Sequence, residues 1–281
     1  MLSYRHAFHA GNHADVLKHL ILIEIAQYMA EKPAPFWIID THAGAGRYAL
    51  DSAHATKLAE FRDGVGRLWE AKGLPKAALN YLDFVKMLNP DSQLRHYPGS
   101  PWLARQLLRD SDRLRLYEMH STDGKLLHEC FKGSGREVAI TDGDGFAGLK
   151  AILPPPPRRA LVLIDPSYET KNDYTAVVQV LQDSLKRFAT GTYALWYPML
   201  SKPESRQLPD KLKRLGASNW LHASLEVKAP ARDGFGMHGS GMFIINPPWT
   251  LEKTLHDTLP TLASLLAQGD GAKYTLESES T

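Results

Sequence analysis

Cysteine is nearly absent: Cys130 is the sole one in 281 residues. An intramolecular disulfide framework is thereby excluded, and a reducing cytoplasm is the expected setting. Charge of one sign is also missing, since 33 basic residues stand against 31 acidic ones for a formal net charge of +2. A chain so balanced is no polycation, so any surface for nucleic acid has to come from local clustering. No apolar stretch approaches the length that spans a bilayer, and Met1 to His9 has no apolar leader-like core, so neither a membrane span nor a secretory signal is expected. Internal repeats are absent as well. His6, His9, His13 and His19 crowd together, yet no cysteine is near and their spacing matches no zinc signature, so no metal is expected.

What is present is an ordinary globular composition, 43% hydrophobic and 23% charged, long enough to bury a core without staples. Apolar runs at 36–40, 115–118, 137–141, 161–165, 193–197, 220–227 and 242–246 read as strands, with helical patterns between them. That alternation predicts an α/β fold with a mainly parallel sheet of seven strands. The gap between the first two strands far exceeds one crossover helix, and Leu58, Phe61, Val65, Leu68 and Trp69 recur at helical spacing. A helical insertion over 50–95 is therefore expected within a single domain. The polar tail 269–281 is expected to fray.

Three strand ends carry chemistry. Asp40-Thr41-His42-Ala43-Gly44-Ala45-Gly46 follows the first strand, and its glycines permit close backbone approach to a ligand at the carboxyl edge of the sheet. The loop lacks Gly-x-Gly-x-x-Gly and any Gly-Lys-(Ser/Thr), which favours the nucleoside of S-adenosylmethionine over a pyrophosphate. Glu118 ends the second strand, where a carboxylate can accept both ribose hydroxyls, and Asp144-Gly145 follows the third, where Asp144 can accept from an adenine amine.

The fourth strand ends in Asp165-Pro166-Ser167-Tyr168. This resembles the (Asp/Asn/Ser)-Pro-Pro-(Tyr/Phe/Trp) turn of amino-group methyltransferases, with Ser167 where the second proline is usual. An exocyclic amine is a poor nucleophile because its lone pair is delocalised. Asp165 and the Pro166 carbonyl are candidate acceptors that draw its N–H groups out of conjugation, and Tyr168 is a candidate to stack on the base. Asn246-Pro247-Pro248-Trp249 fits the same pattern more closely letter by letter, but it ends the seventh strand, and ligands gather beside the cofactor crevice. Lys18 and His19, on a helix that begins near His13, are candidates to meet the cofactor carboxylate.

The chain resembles the RlmJ family of 23S ribosomal RNA adenine-N6-methyltransferases. The resemblance rests on Tyr4-Arg5-His6, on Phe8 through His19, on Asp40 through Tyr48, on Tyr97-Pro98-Gly99-Ser100-Pro101, on Ala194-Leu195-Trp196-Tyr197-Pro198 and on Asn246 through Trp249. It implies a class I (Rossmann-like) methyltransferase fold and cofactor contacts at His19, His42, Ser100, Glu118 and Asp144-Gly145. It also implies Asp165 as the catalytic acceptor, Tyr4 near the target nucleotide, and ribosomal RNA as the partner. By chemistry alone, a DNA adenine or protein glutamine methyltransferase remains open, as does a nucleic-acid-binding protein of weak catalysis. Arg5, Arg47, Arg158, Arg159, Lys171, Lys211, Lys213 and Arg214 are the candidate phosphate contacts.

Overall fold

The structure, a computed structural model, describes residues 5–280. In chain order the strands are β1 (Trp37–Asp40), β2 (Arg47–Ala49), β3 (His96–Pro98), β4 (Arg113–Glu118), β5 (Val138–Asp142), β6 (Ala160–Ile164), β7 (Thr192–Met199), β8 (Asn219–Glu226), β9 (Gly239–Ile245) and β10 (Lys273–Ser280). The helices are α1 (His13–Ala30), α2 (Ala53–Leu58), α3 (Val65–Trp69), α4 (Lys76–Met87), α5 (Ser100–Leu107), α6 (Ser121–Cys130), α7 (Gly145–Ile152), α8 (Lys171–Arg187), α9 (Pro203–Lys213) and α10 (Leu251–Leu265).

The main sheet has the order β10-β8-β9-β7-β6-β1-β4-β5, eight strands where seven were expected. From β7 to β5 all neighbours are parallel, while β9 runs antiparallel to both β7 and β8. This is the α/β Rossmann-like arrangement, and the strand order reverses at β1, between β4 and β6. A crevice opens at that reversal, on the carboxyl edge of the strands.

The extra strand is β10, which pairs antiparallel with β8 along its whole length, from Lys273 opposite Glu226 to Ser280 opposite Asn219. The expectation of a frayed tail is thus corrected. Its alternating polar residues read as solvated, but the open edge of β8 supplies backbone partners, and Trp220 Nε1 donates to Glu279 at 2.9 Å.

The stretch between β1 and β4 runs β2, α2, α3, α4, β3 and α5, with β2 and β3 paired as a two-stranded ribbon. Val65, Leu68, Ala78, Tyr81, Leu82 and Val85 from this stretch join one hydrophobic cluster with β1, β4 and α1, so the helices share the main core. Among the described residues, no helix is long and apolar enough to cross a membrane.

Helix α1 is buried on nearly every side, from His13 through Ile23 without a break. Its apolar residues explain this, because Val16, Leu17, Leu20, Ile21, Leu22 and Ile25 leave no polar face. The helix starts at Asn12, whose side chain accepts from the Ala14 and Asp15 amides. Consequently Asp15, Lys18 and His19 are carried into the interior beside the crevice.

Candidate active site

The crevice holds a cleft of about 860 Å³ lined by residues from the α1 helix, the glycine loop and the ends of the strands singled out in the sequence, among them Lys18, His42, Gly44, Ser100, Glu118, Asp144 and Asp165. The sheet register explains why they meet. Asp40 lies opposite Leu163 and Leu116, and Glu118 lies opposite Asp142, so the acids at 40, 118, 144 and 165 share one sheet edge.

The glycine loop is built for close approach. Gly44 and Gly46 have φ of 63° and 81°, which L side chains adopt only under strain. Gly44 N–H donates to Glu118 Oε2 at 2.7 Å, and His120 N–H donates to Glu118 Oε1 at 2.7 Å. Each carboxylate oxygen keeps acceptor capacity for a further hydroxyl. Burial pushes the Glu118 carboxyl up, against these two backbone bonds. Asp144 caps α7 by accepting from Phe146 N–H at 2.8 Å, and a Cβ on Gly145 would lie 2.0 Å from the Thr41 carbonyl oxygen. Only glycine lets α7 begin so near the β1 loop.

Ser100 sits in the cleft wall and donates to Asp40 Oδ2 at 2.6 Å. Asp40 was not singled out in the sequence. Its full burial raises its pKa to about 6, despite hydrogen bonds from Ser100 and the His42 amide. His42 is held neutral, its pKa lowered to about 4 by burial. His19 is lowered further, to about 3, again by burial, and its Nδ1 is 2.8 Å from the Tyr97 hydroxyl.

Lys18, expected to meet the cofactor carboxylate, lines the cleft and is ion-paired with two acids. Its Nζ lies 2.6 Å from Asp165 Oδ2 and 2.9 Å from Asp15 Oδ1. Burial opposes the ammonium, but the two carboxylates outweigh it and its pKa is raised. Asp15 in turn accepts from Gly11 N–H at 2.8 Å and lies 2.9 Å from His6 Nε2. Desolvation works against its charge, yet His6, Lys18 and His19 hold its carboxyl well below the usual range.

A second cavity, about 670 Å³, lies on the other side of Asp165 and shares His6, Lys18, Asp165 and Ser167 with the first. Tyr168, Trp196, Pro198 and Met237 help to line it. Tyr168 has φ of 53° and is 3% exposed, packed against Tyr174 at 4.7 Å between ring centroids. Its hydroxyl donates to the Trp196 carbonyl at 2.8 Å. Tyr4 lies outside the described residues.

The rival turn is placed elsewhere. Because β9 is antiparallel to β7, Ile245 lies opposite Tyr193 at the start of β7, so Asn246 sits on the edge away from Asp165. Asn246 donates to the Ala189 and Gly191 carbonyls, each at 2.8 Å, which closes a loop, and Trp249 is 81% exposed. Of the candidate phosphate contacts, Arg159 is structural. It donates to the Ala34 and Met29 carbonyls and packs over Phe36. Lys213 and Lys171 are paired with Glu277 and Glu204. Among the described residues, no group of three or more His, Cys, Asp or Glu is placed to hold a metal ion.

Sequence reasoning missed Asp40, the Asp15–Lys18–Asp165 chain and Trp196. The i, i+3 spacing of Asp15 and Lys18 on a helix was a usable signal for the first pair, but nothing local points from Lys18 to Asp165.

Comparison with known proteins follows the same lines. Residues 33–277 match the family model described as Ribosomal RNA large subunit methyltransferase D, RlmJ. Ribosomal RNA large subunit methyltransferase J of Escherichia coli is 48% identical over 95% of this chain and 94% of its own length. The Haemophilus influenzae protein of the same name is 44% identical over 99% of this chain and 98% of its own. A crystal structure of a Legionella pneumophila protein superimposes with a TM-score of 0.89 at 34% identity, covering 97% of this chain and 99% of that one. With its sheet order, its cleft and these matches, the chain belongs to the RlmJ family.

Proposed function

We propose that this protein transfers a methyl group from S-adenosylmethionine to the N6 amine of an adenine in large-subunit ribosomal RNA, in the cytoplasm. The observation that carries this reading is Asp165, which stands between a nucleoside-sized cleft and an aromatic-lined cavity that shares its side chain. When bound, the cofactor supplies an electrophilic sulfonium methyl. The cleft suits it: Glu118 would meet the ribose and Asp144 the adenine amine, beside a loop whose Gly44 and Gly145 pack too closely on Tyr48 and Thr41 for any Cβ. Ser100, His19 and His42 line the same cleft and would help to hold the cofactor.

The target adenine leaves its stack and enters the second cavity, at a cost of about a few kcal/mol. Tyr168 and Trp196 form the aromatic wall that offsets part of this. Lys18 engages Asp165 Oδ2, which leaves Oδ1 to accept one amine N–H. The Pro166 carbonyl accepts the other. These two acceptors localise the nitrogen lone pair and aim it at the methyl, so positioning and fixed dipoles supply the acceleration. Lys18 holds the carboxylate still, and Asp15 keeps Lys18 in place.

Methyl transfer from labelled cofactor to RNA, DNA and protein fractions tests the substrate class, with incorporation expected in large-subunit RNA. Label only in DNA or protein would reject the reading. Asp165→Ala is expected to abolish transfer while cofactor affinity, measured calorimetrically, stays within a few-fold. Its removal leaves Lys18 paired with Asp15, so no buried cation is stranded. Loss of cofactor binding by a folded variant would remove Asp165 from the amine.

A further inference from the structure

We infer that Phe235 is the residue that enters the RNA stack when the target adenine leaves it. The inference rests on the proposed reaction and extends it to the device that holds the substrate open. Phe235 is 80% exposed, at the tip of the 228–238 loop that joins β8 to β9.

Among the described large apolar residues only Trp249 is as exposed. The loop presents it deliberately. Gly234 and Gly236 flank it with φ of 75° and 83°, and Phe235 N–H donates to Asp233 Oδ1 at 3.0 Å. The base of the loop is firm, since Val227 N–H donates to the His238 carbonyl at 2.9 Å and His238 N–H to the Met199 carbonyl at 3.1 Å. At the tip there is open space. A Cβ on Gly236 would meet nothing within 4 Å, and one on Gly234 only Ser201.

Its position ties it to the chemistry. Met237 lines the cavity that contains Asp165, Tyr168 and Trp196. Two residues of chain span at most about 7 Å, so the Phe235 backbone lies within that reach of a residue that lines the cavity. The surround suits a polyanion: Lys228, Arg232, Lys202 and Arg206 are exposed on this loop and on the neighbouring start of α9, against Asp233 on the same loop. Glu204 is already paired with Lys171.

A flipped base leaves a gap between its former neighbours, and an aromatic ring inserted there recovers stacking and holds the base out. Phe235 then contributes only when the adenine starts inside a stack. The basic residues around it seat the phosphates on either side.

Single-turnover methylation by Phe235→Ala, Phe235→Trp and the parent decides this, using an unmodified folded ribosomal RNA fragment that carries the adenine the parent methylates and a short single strand of the same local sequence. Phe235→Ala is expected to be slower by about tenfold or more on the folded fragment, the scale of one lost stacking partner. On the single strand it should stay within about twofold. Phe235→Trp should restore the folded-substrate rate, and Trp249→Ala, on the opposite sheet edge, should match the parent on both. Equal loss on both substrates would make Phe235 a general RNA contact and overturn the inference. No loss on either would overturn it too, and would turn attention to a protein partner for this loop. A parent enzyme inactive on all RNA would instead sink the proposed function itself.

Discussion

Asp165 shows what one residue gains from its neighbours. Its carboxylate is reached from α1 by Lys18, 147 positions earlier, and that ion pair is itself anchored by Asp15. The Asp165–Tyr168 turn was legible in the sequence because four consecutive residues carry it. The ion pair was not, since a lysine on an apolar helix gives no hint of its partner. Ser167 tests how much of the turn matters. It lines both cavities, but the acceptors assigned here belong to Asp165 and Pro166. A proline at 167 would only narrow the conformations of Pro166. Ser167→Pro is therefore expected to transfer methyl at a rate equal to or modestly above the parent in single-turnover assays. A parent with no transfer, rescued only by this change, would mean that the natural protein binds RNA without modifying it.

Among the elements, α7 depends most sharply on a single atom. Its first residue, Gly145, lies where a Cβ would be 2.0 Å from the Thr41 carbonyl oxygen, and backbone on both sides leaves little room to yield. Gly145→Ala is expected to push α7 from the β1 loop and weaken cofactor binding at least tenfold by calorimetry, with the far-ultraviolet circular dichroism of the parent retained. Unchanged affinity would show that the loop absorbs the shift. Seven strands were legible because apolar β-branched and aromatic residues fill them, and each observed strand overlaps its expected range. The ribbon of β2 and β3 was not, being three residues per strand. Nor was β10, whose alternation of Lys273, Thr275, Glu277 and Glu279 reads as solvent-facing until β8 is known to lie beside it.

At the scale of the molecule, buried titratable groups set a pH dependence. His13, His19 and His42 have pKa values lowered from 6.5 to about 4, 3 and 4, each chiefly by burial. Below pH 6.5 the unfolded chain takes up protons that these folded sites refuse, so stability falls as pH drops from 6.5 toward 4, by up to about 1.4 kcal/mol per pH unit for each group. Asp40 acts the other way: its pKa is raised from 3.8 to about 6, so acidification through pH 6 relieves the cost of its buried charge. Glu118, also pushed up by burial, acts with Asp40, and the three histidines against these two acids give a net loss. Urea denaturation midpoints are expected to be lower at pH 5 than at pH 7, and His13→Asn should flatten that slope. A midpoint that rises toward pH 5 would make Asp40 the dominant group. The sheet closes with another whole-molecule effect. By covering β8, strand β10 converts an apolar interior strand from an open template into a guarded one, and what faces a neighbouring chain is a row of glutamates and serines. Such a border resists edge-to-edge pairing, so the polar tail keeps the protein from aggregating through its own sheet.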